Sequence, residues 1–173
     1  VVGVSTNVVL RGNRIRSNES WGVSLSGSAV VANRVASNFI DGRDRLNGGV
    51  VISAGNRNVV TNSTIIRLSS GSAGVYIYGN AASNRVVGNT MYSNVGDGIG
   101  LPAGGNRNRI VSNMIRTFTG NGISISGGVG NIVTNNTIAG NTSHGVLISS
   151  TSRTNFIVGN TIRSNNLYGV YIN

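Results

Sequence analysis

The chain has 173 residues, with 26 glycines, one proline, no cysteine and a formal charge of +10 from 14 basic residues, all of them arginine. The lack of cysteine excludes disulfides, thiolate chemistry and Cys-ligated metals, and no apolar run reaches the ~20 residues of a membrane helix. The charge favours acidic partners, whereas the absence of helix-based or zinc motifs, and of interleaved basic and aromatic residues, argues against specific nucleic-acid binding.

One unit recurs along the whole chain. It reads Gly-Val/Ile-x-Leu/Ile, a polar turn, then Asn-x-Val/Ile-x-x-Asn-x-Ile/Val-x-x-Asn. Gly3 opens a short, basic first copy that contains LRGNRIRSNESW. Further copies open at Gly22, Gly49, Gly74, Gly98, Gly122, Gly145 and Gly169, with spacings of 27, 25, 24, 24, 23 and 24 residues. A fixed period in this range marks a solenoid.

Within each copy apolar residues alternate over very short runs, as in Ile99-x-Leu101, Ile110 and Ile115, or Val146-x-Ile148, Ile157 and Ile162. Period-two alternation of β-branched residues predicts strands a few residues long, about three per coil, with coils about 4.8 Å apart. No window sustains a helical stripe, and Val and Ile rather than Leu carry the core.

Asparagine marks the corners. A second Asn per copy falls at Asn13, Asn33, Asn89, Asn113, Asn136 and Asn160, with Ser63 in its place once. A third falls at Asn18, Asn38, Asn94, Asn141 and Asn165, with Leu68 and Phe118 as exceptions. Asn tolerates left-handed turns and can form amide ladders between coils, so these residues are read as structural. The corner after Asn38 carries ten residues, FIDGRDRLNG, before Gly49, which reads as a seven-residue insertion centred on Asp41–Arg45; SSGSA forms a smaller one in the next coil.

GNTIRSNNLYGVYI and NNTIAGNTSHGVLI resemble the repeat of the pectate-lyase-like superfamily. The resemblance spans the chain and implies an all-β, right-handed parallel β-helix of about seven coils of about 24 residues. It also implies carbohydrate as ligand or substrate. Residues 1–173 then form one domain, expected to be a piece of a longer solenoid, because both ends cut the repeat.

Four groups are candidates for function. The residue before each repeat glycine is Trp21, Gly48, Ala73, Asp97, Asn121, His144 or Tyr168, and stacking aligns them along one edge. In the enzyme reading Asp97 is the neutraliser, His144 the base, Tyr168 the acid and Arg43 the substrate clamp. The loop carboxylates Asp41 and Asp44 each have an arginine beside them, which favours ion pairing over a metal or hydrolytic site. Tyr76 and Tyr78 stand on the outward face of the first strand and suit stacking on sugar rings. Arg116 and Arg163, grouped with Arg14, Arg16, Arg34 and Arg67 on the last strand of the coil, suit acidic ligands.

The sequence lacks the Tyr-Gly-Phe-Asp-Pro-His stretch of mannuronan epimerases and the acid set of polygalacturonases. The expectation is therefore a non-catalytic extracellular or surface module that binds acidic polysaccharide, without cofactor or metal. The alternative is a polysaccharide lyase, C5-epimerase or glycoside hydrolase. The open strand edges at both ends predict further coils or end-to-end self-association.

Overall fold

The computed structural model describes residues 5–43, 45–69 and 71–173. Gly3 and Asp44, both named above, lie outside the described residues.

Three seven-stranded parallel sheets run the length of the molecule, each taking one strand from every coil. The first sheet contains Trp21–Ser26, Gly48–Ser53, Ala73–Tyr78, Asp97–Leu101, Ile123–Ser126, Val146–Ser149 and Val170–Ile172. The second runs from Val9–Arg11 to Phe156–Val158, and the third from Arg14–Arg16 to Thr161–Arg163. Among the described residues there is no helix, and none could cross a membrane as one. The all-β solenoid is as expected.

The core is a column of stacked apolar side chains. Ile99 lies between Val75 and Ile123, Ile110 between Val86 and Val133, and Ile115 between Met91 and Ile138, in register. All of these are fully buried. The repeat glycine is demanded by this column. A Cβ on Gly22 or Gly49 would lie 2.6 Å from Cγ2 of Ile40 or Ile65, and Gly98, Gly122 and Gly145 stand in the same relation to Ile115, Ile138 and Ile162. The glycine thus lets the first and third sheets close on each other.

Three asparagine ladders seal the corners. In the second ladder the Asn89 amide and its Nδ2 both donate to Asn113 Oδ1, at 3.0 Å each. Asn113 Nδ2 in turn donates back to the Val86 carbonyl at 2.8 Å. Where Leu68 and Phe118 replace Asn in the third ladder, their amides still donate to Asn94 and Asn141 Oδ1. Buried backbone donors therefore keep partners where the chain turns out of strand pairing.

The structure corrects four details. The ladder asparagines do not occupy the left-handed conformation; the residue before each does, as with Arg107, Ser112, Asn135 and Ser164 before Asn108, Asn113, Asn136 and Asn165. Asn33 belongs to the first ladder, over Asn58, and Asn38 to the second, between Asn13 and Ser63. With that register, the strand ending at Asp41 is followed by two extra residues rather than seven, and the strand ending at Ile66 by the same two. Arg34 lies on the second sheet in line with Arg85 and Arg109, not on the third. The shift arose because Asn-Arg-Val-Ala-Ser-Asn in coil two satisfies the motif in two registers.

Candidate functional site

The outward face of the first sheet and the corner line beside it gather aromatic and hydrogen-bonding side chains. Its strands contain no arginine. Ser24, Val51, Tyr76, Gly100, Ser124, Leu147 and Tyr171 follow one another in register. The sequence-predicted line beside them is also formed, from Trp21 to Tyr168.

At the N-terminal end Trp21 stacks on Tyr76 with ring centroids 6.1 Å apart and planes at 23°. The coil between them supplies Gly48, whose missing Cβ leaves the space that the Trp21 ring fills. Tyr76 in turn lies over Gly100, and its ring meets Tyr78 at 5.3 Å. Val51 is 5% exposed although it points outward, because the stacked rings close over its coil. Glycine at Gly48 and Gly100 therefore makes an aromatic shelf. Tyr78 is exposed at its edge.

Towards the C-terminal end the face becomes polar. Asp97 Oδ1 accepts the Asn121 amide at 2.7 Å and Asn121 Nδ2 at 3.0 Å. Asn121 Oδ1 accepts the His144 amide at 3.2 Å, and His144 Nδ1 accepts the Tyr168 amide at 3.3 Å. One line of hydrogen bonds thus joins Asp97, Asn121, His144 and Tyr168. Burial raises the Asp97 carboxyl above its ordinary range, opposed by hydrogen bonds from Asn121 and Ser124.

His144 belongs to a triangle of near-parallel rings: it lies 5.5 Å from Tyr168 and 4.8 Å from Tyr171, and the two tyrosines are 5.3 Å apart. Because Nδ1 receives a main-chain N–H, the neutral ring carries its proton on Nε2. It presents a donor outward, not a lone pair, which bears against the role of base and suits a hydrogen bond to a ligand oxygen.

Arg43 does not join this line. It sits at the third-sheet corner, with its Nε 3.7 Å from Asp41 Oδ2, four coils from His144, or about 19 Å along the axis. Asp41 is buried and bound by Arg67 through Nε at 2.9 Å and a second nitrogen. These arginines hold its carboxyl below the usual range. Leu46, from the same corner, is fully buried in the core, so this loop is a sealed plug.

Arg116 and Arg163 flank Ala139 in register on the third sheet. The Arg116 guanidinium packs over Tyr92, 5.0 Å from the ring centre. Among the described residues no three His, Asp or Glu side chains converge to hold a metal. Sequence reasoning treated the corner line and the outward strand face as separate, and passed over Trp21 and Tyr171 as ligand contacts. The glycines opposite the rings were the available signal.

Among solved structures, the chain is similar to the periplasmic alginate epimerase AlgG, with a TM-score of 0.74 and 20% identity over 95% of this chain and 45% of that one. It is also similar to the Dettilon tailspike protein, with a TM-score of 0.56 and 18% identity over 90% of this chain and 40% of that one. The chain thus spans less than half the length of these neighbours, and at such identities the likeness is one of fold. No curated protein matches the sequence significantly. The model of the right-handed β-helix region matches residues 43–173. The chain therefore belongs to the right-handed β-helix family.

Proposed function

We propose that the protein is a polysaccharide-binding β-helix module whose ligand lies along the outward face of the first sheet. The observation that carries this reading is the continuity of that face: an aromatic shelf of Trp21, Tyr76 and Tyr78 runs into hydrogen-bonding groups at Ser124, His144, Tyr168 and Tyr171. Flat rings suit sugar faces, and the polar groups suit hydroxyls. Acidic chains gain further attraction from the arginines, with Arg116 and Arg163 as the contacts on the third sheet. The reading suits an extracellular or surface protein.

Titration calorimetry with neutral and acidic oligosaccharides of matched length tests it. Trp21→Ala with Tyr76→Ala should abolish binding of both classes. Arg116→Glu with Arg163→Glu should weaken only the acidic class, and the acidic preference should fall with salt. Absence of glycan binding, or indifference to loss of both rings, rejects the reading.

A second reading, an enzyme acting on acidic polysaccharide, is favoured by one observation. Asp97, with its raised pKa, lies in one hydrogen-bonded line with His144 and Tyr168. Unsaturated uronate formed by the parent and by Ser24→Ala, but not by His144→Ala, would establish it over the binding module.

A further inference from the structure

A second set of charges lies outside the first-sheet face, on the second sheet and the turn that leads into it. Arg34, Arg85 and Arg109 share one outward row there, with Val59 between Arg34 and Arg85, and with Arg85 in direct register with Arg109. Arg57 precedes Val59 in its coil, and Arg107 stands beside Arg109. Four consecutive coils therefore each present arginine, over about 14 Å of the axis. All five residues are exposed. The backbone at Arg57 and Arg107 is held in the left-handed conformation, with their amides donating to the Ala82 and Val129 carbonyls at 3.2 and 2.8 Å. The side-chain carboxylates of the chain are Glu19, Asp41, Asp44 and Asp97, and none falls in a second-sheet strand or in the turn at either end of one. Among the described residues no carboxylate pairs with these arginines.

This row opposes the fold. Like charges on facing strand positions are destabilising, and coils about 4.8 Å apart lie inside a Debye length of about 8 Å. Solubility is served as well by dispersed charge of both signs. The rest of the same face is apolar. Val87 and Val111, in register beside Arg85 and Arg109, are half-buried. The arginine row itself continues into Ile132 and Phe156, and Phe156 is 59% exposed. The second-sheet strands contain no Tyr or Trp. Guanidiniums set among aliphatic side chains on a flat sheet discriminate between anionic partners. A hydrated polysaccharide gains little from Val and Ile. A nucleic-acid duplex presents grooves, which admit a helix or a two-stranded ribbon rather than a flat sheet. A lipid interface uses both halves of the face: guanidinium donors match phosphate, arginine stems lie along apolar surface, and apolar side chains enter the boundary between headgroups and acyl chains.

We propose that the outward face of the second sheet docks the protein on an anionic lipid surface. Arg34, Arg57, Arg85, Arg107 and Arg109 meet the charged headgroups, and Val87, Val111, Ile132 and Phe156 meet the acyl boundary. The solenoid axis then lies along the surface rather than across it. No first-sheet residue takes part, so the docking stands independently of the glycan reading.

The test is cosedimentation with vesicles of equal parts phosphatidylserine and phosphatidylcholine, with phosphatidylcholine alone as the reference. Binding to the mixed vesicles only is expected. Arg85→Gln with Arg109→Gln should weaken it about thirtyfold, or about fivefold for each charge held near the surface. Arg16→Gln with Arg45→Gln removes the same charge from the third sheet and its corner, and should weaken binding less than about threefold. Phe156→Ser should weaken it about tenfold, as for an apolar side chain that binding buries. Binding to neither vesicle, equal binding to both, or equal losses in the two arginine pairs overturns the proposal. Phe156→Ser without effect on vesicle binding, together with retention on polygalacturonate that depends on Arg85 and Arg109, assigns the face to acidic polysaccharide and overturns it as well. Trp21→Ala with Tyr76→Ala should leave vesicle binding unchanged while removing glycan binding, which separates failure of this surface from failure of the glycan face.

Discussion

Trp21 and Tyr76 stack at 6.1 Å although a whole coil separates them. The contact exists because Gly48, in register with Trp21, has no side chain to hold the rings apart. Gly48→Val should lift Trp21 off its seat. The third-sheet core does not touch this side of Gly48, so the fold should survive. Trp fluorescence should shift towards the red and glycan affinity should fall about tenfold or more, as for loss of a central aromatic contact. An unchanged emission spectrum would show that the ring does not depend on the glycine.

The two structured aspartates should act on stability with opposite signs. Asp97 has its carboxyl raised above the ordinary value of 3.8 by burial. The folded state then binds the proton more tightly than the unfolded one, and stability falls as pH rises from 3.8 through the folded value. Asp41 is lowered, so its contribution is complete above 3.8 and is lost as pH falls through its folded value. Asp97→Asn keeps an acceptor for Asn121, and its melting temperature should match or exceed the parent's at neutral pH. Asp41→Asn should cost stability at neutral pH and flatten the acid limb. Thermal melts from pH 2 to 8 check both slopes, and parallel profiles for parent and variants would refute the assignment.

The ladders predict large costs for small deletions. Asn113→Ala removes the acceptor of the Asn89 amide and the donor to Val86. With buried groups left unpaired the cost should reach about 3 kcal/mol. Asn18, exposed and without such a bond among the described residues, should tolerate alanine within about 0.5 kcal/mol. Chemical denaturation gives both values, and equal small effects would remove the ladder from the account of stability.

Core position should matter as much as core identity. Ile115 is fully buried between Met91 and Ile138, whereas Ile162, at the end of the same row, is only partly covered. Ile115→Asp should cost several kcal/mol and prevent folding, as for an unpaired buried charge. The same change at Ile162 should be milder, leaving a folded protein with a lower melting point.

The coil was legible because its two signals, alternating β-branched residues and the glycine period, come from the same stacking. Ile110 and Ile115 could be placed inward from spacing alone. The register of coil two was not legible, because Asn33 and Asn38 each fit the motif and only hydrogen bonding across coils separates them. Of the site, the line from Asp97 to Tyr168 was readable as repeat position. The Trp21–Tyr76 shelf was not, since it depends on rings reaching across an intervening coil.

Each coil is held only by the coils beside it, through strand pairing and the Asn bonds. Under tension along the chain, the molecule should therefore not fail all at once. It should unzip from an end in steps, each freeing one repeat of about 24 residues, or about 80 Å of extended chain. A force–extension trace would then show evenly spaced teeth, and the spacing would measure the repeat directly. A glycan bridging several coils would fuse neighbouring teeth into one larger event.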